Sequence, residues 1–208
     1  RDISANNPRI TGAWPGDFWL LKGDGAIKAG SKVQVKFESR VSATNPKFWQ
    51  LEFYDGDHWK VAGDILETDE TGSPITYTHQ MASDGATNIQ INTTVTYNHN
   101  TEHCWFRFRC MANWQANGQG PLAARNGGTA RLSVTDVTEA GVEWWPTITI
   151  VEEGDGEDRP DTDPVMANII CNPDYLAFEG KPDGAKKITV TSDYDFTAEP
   201  SVDWLHID

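Results

Sequence analysis

From Val151 to Asn168 the chain reads V-E-E-G-D-G-E-D-R-P-D-T-D-P-V-M-A-N, an acidic, Gly/Pro-punctuated stretch that divides it into two unequal parts. The stretch has no apolar periodicity and its like charges repel, so an extended, solvated linker is expected over residues 152–167. About 150 residues precede it, enough for one complete β-sandwich. Roughly 40 follow, too few for an ordinary core without help. The expected organisation is therefore a domain over 1–151, a linker, and a partial module over 168–208.

Net charge is −14, and Glu152 to Asp163 alone contributes seven acids against one Arg, so the remainder carries −8. Phosphate contacts need clustered Lys and Arg, which argues against a nucleic-acid or anionic-membrane partner. No stretch approaches the roughly 18 apolar residues of a membrane span. Arg1 is not an initiator, so the chain is expected to be a processed or trimmed form. Of the three cysteines, Cys104 and Cys110 lie six apart. On one strand they would sit about 20 Å from each other, beyond disulfide reach. Buried thiols are expected rather than a redox pair.

The first part is a succession of short strand patterns. Lys32–Arg40 alternates Val33, Val35 and Phe37 with Gln34, Lys36 and Glu38, which predicts a half-buried strand. Phe48–Tyr54 turns at Asp55-Gly56-Asp57 into Trp59–Gly63. Further strands are expected at Phe18–Leu21, Ile75–Gln80, Asn88–Tyr97, Cys104–Met111, Ala130–Asp136 and Trp145–Val151. With no amphipathic helix of three turns, the expected fold is all-β: an antiparallel sandwich or jelly roll.

Two resemblances follow from particular runs. The early G-D-G-A-I-K-A-G-S-K-V-Q-V run, and the late strand opened by Gly127-Gly128-Thr129 and closing on Ser133-Val134-Thr135-Asp136-Val137, resemble galactose-binding-like jelly rolls. That fold, common among carbohydrate-binding modules, implies a structural Ca²⁺ held by loop carbonyls as the one cofactor to consider. In the short part, Leu176-Ala177-Phe178, the turn near Gly184, Ile188-Thr189-Val190-Thr191-Ser192, Phe196-Thr197-Ala198 and Asp203-Trp204-Leu205 resemble the first half of a BACON domain. This is the Bacteroidetes-associated carbohydrate-binding, often N-terminal family. Phe196 stands where the family usually has Trp, and the family's later strands are absent. The resemblance implies a partial immunoglobulin-like β-module. Its context would be a secreted or outer-membrane surface protein that handles polysaccharide, lipid-anchored through a segment this chain lacks.

Nine Trp in 208 residues is the most suggestive functional signal, because sugar C–H faces stack on indoles much as bases stack on aromatics. Trp is also a large core filler. Alternation puts Trp49 in the core beside Leu51 and Phe53. In C-W-F-R-F-R-C it puts Trp105, Arg107 and Arg109 opposite the apolar face, a ligand floor or a cation–π surface group. Loop candidates are Trp14 in G-A-W-P-G, Trp59 after D-G-D-H, and Trp114 with Asn113, Gln115 and Asn117. Trp114 could instead fold back as a plug, and Trp144-Trp145-Pro146 reads as an edge-strand anchor.

Asp55, Asp57 and Asp64 are oxygen-rich without a calcium-loop spacing, and the five His show no zinc spacing. Hydrolytic motifs are absent. Glycoside hydrolysis needs only two suitably spaced carboxylates, for which Glu52 and Glu38 are the strand candidates, though most strand carboxylates are simply solvated. The expectation is a non-catalytic glycan-binding protein whose partner is a polysaccharide. The alternatives are an adhesion or structural spacer without sugar binding, and a polysaccharide-degrading enzyme.

Overall fold

A computed structural model of the chain describes residues 2–3, 9–125, 127–132, 146–161, 169–172 and 187–192. Its strands are β1 (Asp2–Ile3), β2 (Arg9–Thr11), β3 (Phe18–Lys22), β4 (Lys32–Val41), β5 (Phe48–Tyr54), β6 (Trp59–Val61), β7 (Leu66–Thr68) and β8 (Ile75–Tyr77). They continue with β9 (His79–Gln80), β10 (Ile89–Thr96), β11 (Trp105–Cys110), β12 (Thr129–Leu132), β13 (Thr147–Glu152), β14 (Ile169–Asn172) and β15 (Thr189–Ser192). The chain is all-β. It divides into two compact units, Arg1–Pro164 and Val165–Asp208.

The first unit is a β-sandwich. One sheet runs β1-β3-β11-β5-β6, with β9 also on β5; the other runs β10-β4-β12-β2, with β13 beyond β12 along β4. Every pairing is antiparallel except β1 with β3. The predicted alternation places the core: Val33, Val35, Phe37, Trp49, Leu51, Phe53, Phe106 and Phe108 are buried between the sheets. Trp19, Trp49 and Phe108 stack on one another, with Trp19 and Trp49 centroids 5.0 Å apart. Phe37 meets Phe108 edge-on across the two sheets at 5.2 Å. Cys104 and Cys110 are buried free thiols.

β5 departs from simple alternation. Phe48, Gln50 and Glu52 on its outer side are as buried as the core residues, because something covers the sheet from outside. Over Phe48 lies a small second core with Tyr77 and Ala112, flanked by Ile75, Met111 and Trp114. Over Glu52 lie the side chains described below.

The acidic segment also differs from a free tether. Residues 153–161 have no regular structure, but the backbone is held to the sandwich: Gly154 N donates to Ser31 Oγ at 2.9 Å, Gly156 N to the Ala29 carbonyl at 3.0 Å, and Arg159 N to the Asn98 carbonyl at 2.8 Å. A Cβ at Gly154 would collide with the Ala29 carbonyl and the Ser31 amide, so this close approach requires glycine. The expected repulsion is offset pair by pair. Arg159 binds Asp155 at 2.9 Å, and Asp158 accepts from the Asn100 amide at 3.0 Å.

In the second unit, β14 and β15 pair antiparallel, joining Ile169–Asn172 to Thr189–Ser192. Leu176, Phe178, Gly184, Phe196 and Trp204 lie outside the described residues, as do Trp144, Trp145 and Ser133–Val137.

Candidate functional site

The outer surface of the first sheet brings four of the sequence candidates together. Strand register sets Trp105 beside Lys22 on β3, and Arg107 between Leu20 and Glu52. Tyr54 faces Trp59 across the β5–β6 hairpin. The rings form a continuous row: Trp59 to Tyr54 is 5.5 Å, Tyr54 to Trp105 is 6.1 Å, and His103 lies flat on Trp105 at 3.9 Å with a 6° interplanar angle. Lys22 Nζ sits 5.3 Å from the Trp105 ring. Trp59, Tyr54 and Trp105 are half-buried and His103 is exposed, so each ring keeps surface toward solvent.

Below this row the charges are internal. Glu52 is 1% exposed. It accepts from Arg107 Nε, from Arg109 Nη2 at 3.1 Å and from Gln50 Nε2 at 2.8 Å. The Arg107 guanidinium lies 4.4 Å from the Trp59 ring and 5.8 Å from Phe18. Glu52 as a solvated strand carboxylate is therefore corrected: Arg107, opposite it in register, and Arg109, reaching it from the position opposite Gln50, desolvate it together. Arg107 is correspondingly a clasp beneath the aromatic row rather than an outward donor.

Beside Tyr54 and His103 opens a cleft of about 400 Å³, whose wall includes Asp57, His99, Asn100 and Asp158. Behind His99 of that wall, which bonds both carboxylates, Asp55 is buried and Lys60 Nζ binds it at 2.8 Å while also binding Asp161. Asp55, His99 and Asp161 offer ligand atoms within 4.8 Å of one another. The Lys60 ammonium already supplies the positive charge between the two carboxylates, so the donor set fits an internal ion pair better than a Ca²⁺. Burial pushes the Asp55 carboxyl up despite Lys60. Asp161 is held below the usual range because hydrogen bonds from Lys60 and Asn98 outweigh its own burial. Asp57 and Asp64 are exposed and take no part in this cluster.

The loop candidates go elsewhere. Gly16 N, two residues beyond Trp14, donates to the Cys110 carbonyl, about 17 Å along β11 from Trp105 at roughly 3.3 Å per residue. The half-buried Trp14 belongs to a turn pinned by Asp17, whose carboxylate accepts the Trp14 amide at 3.1 Å and binds Arg125 at 3.0 Å. Trp114 packs on the Phe48–Tyr77–Ala112 cluster with its indole N–H buried and unbonded. Its polar neighbours serve the loop: Asn113 Nδ2 donates to the Leu122 carbonyl at 2.9 Å, Gln115 N to the Gly120 carbonyl at 3.0 Å, and Asn117 Oδ1 accepts the Gln119 amide at 3.0 Å. Asn117 also borders a second open cleft of about 530 Å³, near Lys47, Gln80 and Asp84. A ligand face made of Trp114, Asn113, Gln115 and Asn117 is not what these contacts build.

Glu38 and Glu52, the strand carboxylates, lie on the outer sides of opposite sheets. They cannot flank one glycosidic bond. Tyr54 and His103 are the site members that sequence reading missed. Tyr54 was signalled by its place at the solvent-side position of L-E-F-Y next to the hairpin turn; His103 carried no signal of its own.

No family model, curated protein or solved structure matches the chain.

Proposed function

We propose that this chain is a non-catalytic glycan-binding protein whose ligand lies along Trp59, Tyr54 and Trp105. The observation that carries this reading is the unbroken row of half-exposed rings beside an open cleft. Flat indole and phenol faces stack on the C–H faces of pyranoses, and by analogy with base stacking each ring contributes about 1–3 kcal/mol. The cleft wall adds what hydroxyls need, carboxylate acceptors from Asp57 and Asp158. Arg107 and Glu52 hold the floor rigid from below, which reduces the ordering cost on binding. The BACON-like segment agrees with a cell-surface or secreted setting in a polysaccharide-handling system.

A glycan array followed by affinity electrophoresis tests the assignment. Trp105→Ala and Trp59→Ala are each expected to lose about 5- to 150-fold in affinity, while Trp114→Ala, with its ring in packing, keeps wild-type retention. Full retention in both of the first two variants would remove the site.

The spacer reading retains one specific observation in its favour. Trp19, Trp49 and Trp114 are all used in packing, so half of the six described tryptophans do structural work. Wild-type protein that binds no glycan on the array would establish that reading.

A further inference from the structure

The outer face of the second sheet carries a feature of different chemistry. Strand register lines up Arg9 on β2, Arg131 on β12 and Arg40 on β4 in a single row. Their inward-facing neighbours Ile10, Ala130, Leu132, Ser39 and Val41 are buried, so the three guanidiniums leave the sheet on its solvent side. Arg9 is exposed and the other two are half-buried. Neighbouring strands lie about 4.8 Å apart, so three cations occupy a strip about 10 Å wide.

Like charges directly opposite one another weaken a sheet. Arg131 holds its proton less firmly than usual, first through burial and then through the charges of Arg9 and Arg40. The chain has only 17 Lys and Arg against 31 acids, so three of them in one row run against both local sheet chemistry and overall composition. Such local conflicts concentrate where a surface has work to do.

The surroundings narrow the ligand. On one side runs a hydroxyl row, Thr11 opposite Thr129, with Thr129 N donating to Ser42 Oγ at 2.9 Å. On the other, Glu38 is already engaged by Asn88 at 2.9 Å and Gln90 at 3.4 Å, and Arg40 gives one N–H to the Ala86 carbonyl at 3.1 Å. Guanidinium forks match oxyanions, and hydroxyls match sugar hydroxyls. A protein with net charge −14 repels a polyanion everywhere else, which confines such a ligand to this strip.

We propose that the Arg9–Arg131–Arg40 strip is a second binding surface, for an acidic polysaccharide whose carboxylate or sulfate groups pair with the arginines as the polymer lies across β2, β12 and β4. It is independent of the aromatic row, which sits on the outer side of the opposite sheet.

Affinity electrophoresis in gels containing polygalacturonate, dextran sulfate or neutral dextran tests the surface. Wild-type protein is expected to be retarded by polygalacturonate, by dextran sulfate or by both, which separates carboxylate from sulfate, and not by dextran. Retardation should weaken from about 0.05 M to about 0.5 M salt. It should fall at least tenfold in Arg9→Gln/Arg40→Gln, with Trp105→Ala unaffected. The exposed single variant Arg9→Gln, checked by circular dichroism, should lose several-fold and keeps the test decisive if the double variant misfolds. Absence of retardation in both anionic gels overturns the proposal, as does unchanged retardation in Arg9→Gln, or equal retention on a DNA duplex.

Discussion

Trp105 and Trp114 both stand over the outer surface of the first sheet, at opposite ends of it, and their neighbours decide what each can do. Around Trp105 the covering layer is charged: Glu52 gathers Arg107, Arg109 and Gln50 underneath, Trp59 and Tyr54 follow Trp105 as a row of tilted rings, and His103 stacks on Trp105 itself. Around Trp114 the covering layer is apolar, so its indole is drawn into contact with Phe48, Tyr77 and Ala112. Burying the ring there removes apolar area from water. Supporting a ring on an ion cluster leaves one face wet. An exposed-looking loop is therefore a poorer predictor of an available aromatic than a strand position over a paired charge.

The largest expected effect tests the charged side of this contrast. Glu52→Ala leaves Arg107 and Arg109, both mostly buried, facing each other without their shared carboxylate. Removing one partner from a buried ion cluster costs about 3–5 kcal/mol. Chemical denaturation should show that loss, together with reduced glycan retention as Trp59 and Phe18 lose the guanidinium between them. A loss below about 1 kcal/mol would mean the cluster is not what holds the aromatic row in place.

Much of the sandwich is legible in the sequence because period-two alternation specifies a face. K-V-Q-V-K-F and F-W-Q-L-E-F-Y place Val33, Phe37, Trp49 and Phe53 inside as read, and C-W-F-R-F-R-C places Phe106 and Phe108 there. Alternation does not say what covers the other face. Glu52 reads as a solvated acid until register sets it opposite Arg107, a pairing that joins residues 55 apart in sequence. The loop N-W-Q-A-N-G-Q-G reads as a polar display because nothing local reveals that Asn113 ties it to the Leu122 carbonyl and Asn117 to the Gln119 amide. The acidic stretch reads as repulsive, yet Gly154 and Gly156 let its backbone approach the sandwich and Arg159 neutralises Asp155. The signal there was glycine, not charge.

The apolar side is tested next. Trp114→Ala empties a half-buried position, for which about 2–3 kcal/mol is expected, below the 3–5 of a fully enclosed Trp. Retention on glycan should not change. A variant that melts like wild type but loses retention would reverse the roles assigned to the two tryptophans.

The smallest effect concerns His79, which belongs to the Trp114 end: β9 pairs with Phe48 and Trp49, and the imidazole meets the edge of Phe108 at 5.6 Å while Nδ1 bonds with Thr78 Oγ1 at 2.7 Å. Burial lowers its pKa to about 4 from an ordinary 6.5. The unfolded chain thus takes up a proton at a pH where the folded one does not. The stability His79 permits is complete above 6.5 and declines as pH falls toward 4, by about 1–2 kcal/mol near pH 5. Thermal melts at pH 7 and 5 should show a smaller decline in His79→Gln than in wild type, because glutamine does not titrate. The carboxylates around Trp105 are common to both proteins and cancel in that difference. Equal declines would mean the imidazole is hydrated and that the core edge where His79 meets Phe108 is not sealed from water.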